Sequence, residues 1–427
     1  MKRFIIICFL PFQFVSGQNS DTITLWSCYE EALKNYPLSR GKELLHSVNE
    51  QKIKNIRAGY LPQLNLIGQA TYQSDVPHID IPFPEISITV PPKDQYKLTL
   101  DINQVIYNGG LTYSMEKLEK ANLYTEVQKV EVELYQIKER INKVYFSILL
   151  LQKNEEILKV MMNEINKRIK VMESGVRYGI FMQSDMDILT AELLKTEQQL
   201  IEIKMGKSAS FKILEELTNK DLPDSSLLKI PFIQATLVKE TNRPEHILFE
   251  MQINKISANI DLVSKKRLPR MYCFGTFGYG RPGLNMLSDK FDSFYMIGTL
   301  FSWNIWDWNQ NKRERQILSI QKDVIQIQKE TFDKNLKILI ENEMAAIQKL
   351  EKMIKKDSEI IQLRKRITKT SVSQLENGII TPNNYLANLN SEIQSEINME
   401  SHKIQLIQSR INYLTILGKN EKNNKTL

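Results

Sequence analysis

The chain says nearly the same thing twice. Asn35-Tyr36-Pro37 is followed 25 residues after its proline by Pro62 of Leu61-Pro62, and Arg243-Pro244-Glu245 is followed at the same distance by Pro269 of Leu268-Pro269. Both pairs of landmarks are offset by 207 (244 − 37 and 269 − 62). Further on, Tyr107-Asn108-Gly109-Gly110 answers to Trp306-Asp307-Trp308-Asn309, and Tyr178-Gly179-Ile180 to Asn377-Gly378-Ile379, at an offset of 199. A constant offset that shortens by 8 implies a duplication with one loop of different length, near residues 77–93. A repeat this long constrains architecture before it says anything of chemistry. The expected layout is a first repeat over 18–220, a linker over 221–241, a second repeat over 242–418 and a tail over 419–427.

Each repeat has the same internal order. A helix comes first. Residues 22–58 and 243–266 carry apolar residues near helical spacing, and Asn242 is placed to cap the second helix ahead of Pro244. Each ends at a Leu-Pro, where the residue before proline is driven into extended backbone. Beyond the proline the side chains alternate. Tyr96, Leu98, Leu100, Ile102 and Gln104 fall on one face, and Lys97, Thr99, Asp101 and Asn103 on the other. Leu64, Leu66, Gly68, Ala70 and Tyr72 oppose Asn65, Gln69 and Thr71, with Ile67 out of pattern. The expected strands are about 62–76, 94–107, 269–281 and 292–305; the last two are aromatic-rich and alternate less cleanly. Strands of this length suit either a tilted bilayer crossing or ordinary amphipathic hairpins.

The longest segments come next. Residues 111–177 and 310–376 run without proline, which at 1.5 Å per residue implies rods of about 100 Å. Their apolar residues step by 3 and 4, as in a coiled coil: Val127, Val130, Leu134, Ile137, Ile141, Val144 and Ile148, then Leu336, Ile340, Met344, Ile347, Leu350 and Ile354. Each rod stops near Gly179 or Gly378, and a helix returns over 181–217 or 381–417. Asn219 and Gly418 stand at equivalent ends suited to left-handed backbone.

The N-terminus reads as a secretory signal over 1–17: Lys2 and Arg3, then the apolar run Phe4–Leu10, then the small residues of Val15-Ser16-Gly17. Without it the net charge of +7 falls to +5, 55 basic against 50 acidic residues. Lysines alternate with glutamates along the rods, which marks a solvated surface and not a nucleic-acid interface. Leu25-Trp26-Ser27-Cys28 only faintly matches a lipoprotein box, because Trp26 fits poorly and polar residues separate Cys28 from the apolar run. Cys28 and Cys273 stand in different repeats and do not form a disulfide framework. His46, His78, His246 and His402 are scattered, with no metal-ligand spacing, no phosphate loop and no nucleophile motif. No catalytic residue, cofactor or metal is expected, and the chain is not read as an enzyme.

Four strands cannot close a barrel, and lipid-exposed strands must be closed, so a membrane reading requires several copies of the chain. Leu64, Leu66, Leu98, Leu100 and Ile102 are the candidate lipid-facing residues. Trp303, Trp306 and Trp308 are candidates for an interfacial aromatic girdle.

With this order of motifs the whole mature chain resembles the TolC-type outer-membrane efflux and export channels. The resemblance rests on Asn35-x-Pro37 and Arg243-Pro244-Glu245, the two Leu-Pro steps, Tyr107-Asn108-Gly109-Gly110, and the glycines at the tips. The Trp26-Ser27-Cys28 helix start is similar to members from Bacteroidetes-type bacteria. The resemblance implies an α+β membrane protein: a homotrimer whose four-stranded shares form a 12-stranded transmembrane barrel, continued by a periplasmic α-helical coiled-coil tunnel. It implies passive export across the outer membrane, opened by docking to a periplasmic adaptor and an inner-membrane pump. Family tips dock the adaptor, which assigns that role to Tyr178, Gly179, Ile180, Asn377, Gly378 and Ile379. Family members often place acids just past the second tip to line the closed aperture. Here Asn383, Asn384 and Asn388 stand there, and Asp185 and Asp187 follow the first tip instead. The competing readings, a coiled-coil scaffold or a periplasmic adaptor without a pore, leave either the strands or the double rod unexplained.

Overall fold

Proline and glycine set the element boundaries. A computed structural model describes residues 22–77, 90–233, 241–286 and 288–419. The signal segment, His78, Pro82 and Pro84, part of the linker and most of the C-terminal tail lie outside them. The elements run α1 (Leu25–Asn35), α2 (Gly41–Ala58), β1 (Gln63–Tyr72), β2 (Asp94–Tyr107), α3 (Leu111–Arg177), α4 (Gln183–Thr218), α5 (Pro244–Lys265), β3 (Arg270–Arg281), β4 (Asp292–Ser302), α6 (Gln310–Glu376) and α7 (Pro382–Leu417). The two rods have the expected bounds, 67 residues each. Asn219 (φ 50°) and Gly418 (φ 77°) end the returning helices in left-handed backbone.

Three expectations need correction. Residues 22–58 are not one helix. Tyr36, held extended ahead of Pro37 (φ −63°, ψ 131°), ends α1, and a 3-10 turn over Pro37–Arg40 leads into α2; the residue before proline is disfavoured in helical backbone. Asn242 does not cap α5. Arg243 holds the cap position without a side-chain bond, and the Asn242 backbone N–H donates to the Leu417 carbonyl. β1 and β4 are shorter than expected, because β1 stops at Tyr72 opposite Asp94 and β4 at Ser302 opposite Arg270, the first residue of β3.

The chain divides into two compact units that cut across the repeats: Met1–Ser39, Leu134–Asn242 and Leu336–Leu427 form one, and Arg40–Glu133 with Arg243–Asn335 the other. In the first unit, α3 buries Leu134, Ile137, Ile141, Tyr145, Ile148 and Leu149 on one stripe. A buried polar cluster joins α1, α3 and α7. Tyr29 donates to Asn142 Oδ1, Asn142 Nδ2 to Thr415 Oγ1 at 3.2 Å, and Tyr135 to the Thr415 carbonyl at 2.6 Å. The Tyr145 hydroxyl is shared between the carbonyls of Ile23 (3.0 Å) and Lys229 (2.6 Å). It thereby holds the segment leaving α4 beside the segment that enters α1, where Ile23 and Leu228 form a parallel bridge. Buried polar groups are costly unless paired in this way.

The second unit carries the sheet, with strands in the order β1-β2-β3-β4 and every pairing antiparallel. Ion pairs tie α2 to α3, among them Lys52–Glu119 (2.7 Å) and Arg57–Glu116 (2.9 Å). The Glu116 carboxyl is held below its ordinary range by its bond to Arg57.

Candidate functional site

The sheet has two faces and two bare edges. The register aligns Leu66, Leu100, Phe277 and Tyr295 in one row, and Leu64, Ile102, Gly275 and Ile297 in the next but one. All five residues singled out in the sequence, Leu64, Leu66, Leu98, Leu100 and Ile102, therefore share one apolar face. It ends in the stacked rings of Tyr96, Phe291 and Tyr279. The other face is polar at β1 and β2. There Asp101 accepts from the Thr276 hydroxyl at 2.7 Å, and Lys97 Nζ lies 5.3 Å from the centre of the Phe294 ring.

The ragged alternation of β3 and β4 has a steric cause that periodicity does not reveal. Phe274 faces Gly298 across the ladder, and Phe294 faces Gly278. Each ring lies over its glycine: a Cβ at Gly298 would come 2.7 Å from Phe274, and one at Gly278 would strike Phe294. Apolar rings thus occupy the otherwise polar face because glycine leaves room for them. Aromatic–Gly cross-strand pairs were the signal available in the sequence, but they require the register to be known.

Between strand and rod, Gly109 (φ 66°) and Gly110 (φ 78°) are matched by Trp308 (φ 51°) and Asn309 (φ 61°). Positive φ is strained for a bulky residue. Trp303, Trp306 and Trp308 are all exposed, and the rings of Trp306 and Trp308 meet edge to face at 5.8 Å.

At the rod ends both tips form the same hydrogen-bonded reversal. The N–H of Gly179 donates to the Val176 carbonyl and that of Ile180 to Gly175; Gly378 donates to Leu375 and Ile379 to Gln374. This is the Schellman arrangement, which needs left-handed backbone at the glycine, and Gly179 and Gly378 have φ of 74° and 70°. Tyr178, Ile180 and Ile379 project with 79%, 71% and 70% of their surface exposed. The Asn377 amide turns back onto the Ser373 carbonyl at 2.7 Å. Behind the tips, α3, α4, α6 and α7 share a core that includes Ile165, Met172, Leu189, Leu375, Tyr385 and Leu389. Burial pushes the Tyr385 hydroxyl up to about 12. Beside it Arg168 joins Glu164 (2.8 Å) and Glu376. Burial alone would raise the Glu164 carboxyl, but Arg168 outweighs it and holds the group below its ordinary range.

The three candidate aperture residues differ in their surroundings. Asn383 and Asn384 are exposed, and the Asn384 N–H donates to Thr381 Oγ1, the cap of α7. The Asn388 amide is already bonded to Ser371 Oγ on α6 at 2.8 Å. Past the first tip, Asp185 accepts from the Met182 N–H and Asp187 from Gln183. Cys28 is buried inside α1. Burial pushes its thiol up to about 12, against the opposing charge of Lys220.

No family model matches the sequence, and no curated protein matches it. Solved structures do. The Campylobacter jejuni CmeC outer membrane channel aligns over 94% of this chain and 88% of its own, with a TM-score of 0.67 at 15% identity. CusC, solved in work on folding and transmembrane channel formation, aligns over 93% and 92% with a TM-score of 0.70 at 13% identity. The Vibrio cholerae outer membrane protein VceC aligns over 93% and 96% with a TM-score of 0.68 at 15% identity. The chain therefore has the fold of an outer-membrane channel protomer. That fold is the TolC type to which its motifs point.

Proposed function

We propose that this chain is one protomer of a homotrimeric outer-membrane exit channel, a passive conduit that works with a periplasmic adaptor and an inner-membrane pump. The observation that carries the reading is the four-stranded antiparallel sheet with one apolar face and two unpaired edges, β1 and β4. In lipid those edges require partners, and three chains of four strands supply a closed barrel of 12. On this reading Leu64, Leu66, Leu98, Leu100 and Ile102 meet outer-membrane lipid, Trp303, Trp306 and Trp308 lie at its boundary, and the helical part extends into the periplasm. The likeness to outer-membrane channels over more than nine-tenths of the chain supports it.

Adaptor docking falls to the tips. Ile180 and Ile379 offer exposed apolar side chains on rigid turns, with Tyr178 and Asn377 beside them. Asn383 and Asn384 are the exposed amides assigned to the aperture, while Asn388 braces α7 on α6.

Native mass measurement of the detergent-solubilised chain is expected to give three copies. A stable monomer with its sheet embedded in membrane would overturn the assembly. Photo-crosslinkers at Ile180 and Ile379 are expected to capture an adaptor in cells; repeated failure to do so while export proceeds would remove the docking role.

A further inference from the structure

Apolar side chains stand in three consecutive rows of the polar face, and the sheet itself accounts for only some of them. The ladder sets Gln63, Asn103, Phe274 and Gly298 in one row, Asn65, Asp101, Thr276 and Met296 in the next, and Ile67, Thr99, Gly278 and Phe294 in the third. Phe274 and Phe294 cover Gly298 and Gly278, a pairing that stabilises a sheet by itself. That pairing does not account for Met296, 48% exposed, or for Ile67, 50% exposed, which breaks the alternation of β1.

On the channel reading this face is the wall of the bore, since the opposite face meets lipid. The inside of a water-filled barrel is ordinarily polar, and its side chains tune selectivity. Resting on that reading, we propose that Phe274, Met296 and Phe294, with Ile67 in the Phe294 row and Lys97 beside the ring, form a contact site for exported organic anions that carry an aromatic body.

The ladder gives the site its shape. Phe274 faces Gly298, which lies four residues along β4 from Phe294, with Met296 midway. The two rings therefore bracket a strip of roughly 13 Å, at about 3.3 Å per residue. Both rings are half-buried, so part of each stays open to the bore. Aromatic rings stack on such surfaces, and a methionine sulfur makes favourable contacts with them. Thr99, between Ile67 and Phe294, is buried, so the row is closed over at its middle.

Charge selects the sign of the cargo. Lys97 Nζ lies 5.3 Å from the centre of the Phe294 ring and has no carboxylate partner among the described residues. The carboxylates nearby on this face are engaged within the protein. Asp101 accepts from the hydroxyls of Thr276 at 2.7 Å and Thr99 at 3.5 Å, and Asp292 from the Ser293 N–H at 2.9 Å. A carboxylate or sulfonate attached to a ring matches this arrangement: its charge meets the ammonium while its body lies along the rings and Met296.

The test reads ionic current through the reconstituted trimer in a planar lipid bilayer, with naphthalenesulfonate and naphthylmethylammonium as probes of similar shape and opposite charge. Naphthalenesulfonate should block at the lower concentration. Phe294→Leu keeps Gly278 covered but loses the ring, and should weaken that block about 2–10-fold. Lys97→Gln should weaken it about 2–5-fold without weakening block by the cation. Met296→Glu, at an exposed position, should reverse the preference, and Phe277→Ala on the opposite face should change nothing. Equal or stronger block of the parent by the cation overturns the proposal. Block that Phe294→Leu and Met296→Glu both leave intact, or no block in a channel that conducts, overturns the site and leaves the channel standing. Block lost in Phe277→Ala alone overturns it by reversing the faces. A chain that forms no trimer and carries no current overturns the channel reading and the site together.

Discussion

Replacing Leu100 with arginine tests which face of the sheet meets lipid. Leu100 is the seventh of the 14 residues in β2, so at about 3.3 Å per residue it lies roughly 20 Å from either end of the strand. Its lateral neighbours are Leu66 and Phe277, and neither offers a partner for a guanidinium. An arginine near a bilayer midplane costs about 2–4 kcal/mol. Three protomers would carry that cost together, about 6–12 kcal/mol per trimer if the sites act independently. The neighbouring Asp101→Leu is the control. It changes the opposite face and removes the charged acceptor of the Thr276 hydroxyl at 2.7 Å, worth about 1.5–3 kcal/mol when buried and less on this partly exposed face. The assay is the fraction of chain recovered as trimer from membranes, followed through a denaturant series in detergent and in lipid vesicles. Leu100→Arg should sharply lower trimer recovery in vesicles, and Asp101→Leu should leave it near the parent. If Leu100→Arg is silent and Asp101→Leu abolishes assembly, the faces are reversed and the polar face is the one outside.

Two single positions give further expected outcomes. Gly175→Ala should expel the Phe181 ring, which occupies the space a Cβ would need; exposing a phenylalanine costs about 1.5–3 kcal/mol against about 1 kcal/mol gained in helix propensity. Hydrogen exchange over 176–183 should therefore speed up, and the effect should vanish when Phe181 is already alanine; slower exchange would refute this account of Gly175. Trp308→Gly should relieve a positive φ of 51° that costs a side-chain-bearing residue about 1–2 kcal/mol, raising the melting temperature in detergent while weakening insertion into vesicles. A lower melting temperature would mean that the Trp306–Trp308 contact outweighs the strain.

The sequence by itself determined whatever depends on chain-local chemistry. Proline and glycine at fixed offsets gave the duplication, the bounds of both rods and the left-handed ends at Asn219 and Gly418. Period-2 alternation gave the shared face of Leu64, Leu66, Leu98, Leu100 and Ile102, because successive side chains in a strand must point to opposite sides. Pro37 is visible too, yet reading residues 22–58 as one helix neglects it: the restriction on Tyr36 outweighs the helical spacing around it. Tertiary structure alone decided what depends on which residues become neighbours. The rings of Phe274 and Phe294 sit on the polar face because the register sets Gly298 and Gly278 beneath them. Asn388, one of three similar amides, is taken up by Ser371 from another helix. Cys28 is shut inside α1 by packing from distant segments. Ile317, Ile320, Val324 and Ile327 on α6 stand at the same repeat positions as Leu118, Ala121, Thr125 and Gln128 on α3; only the fold, by setting Thr125 and Gln128 against α5 and leaving the α6 stripe exposed among the described residues, tells the two faces apart.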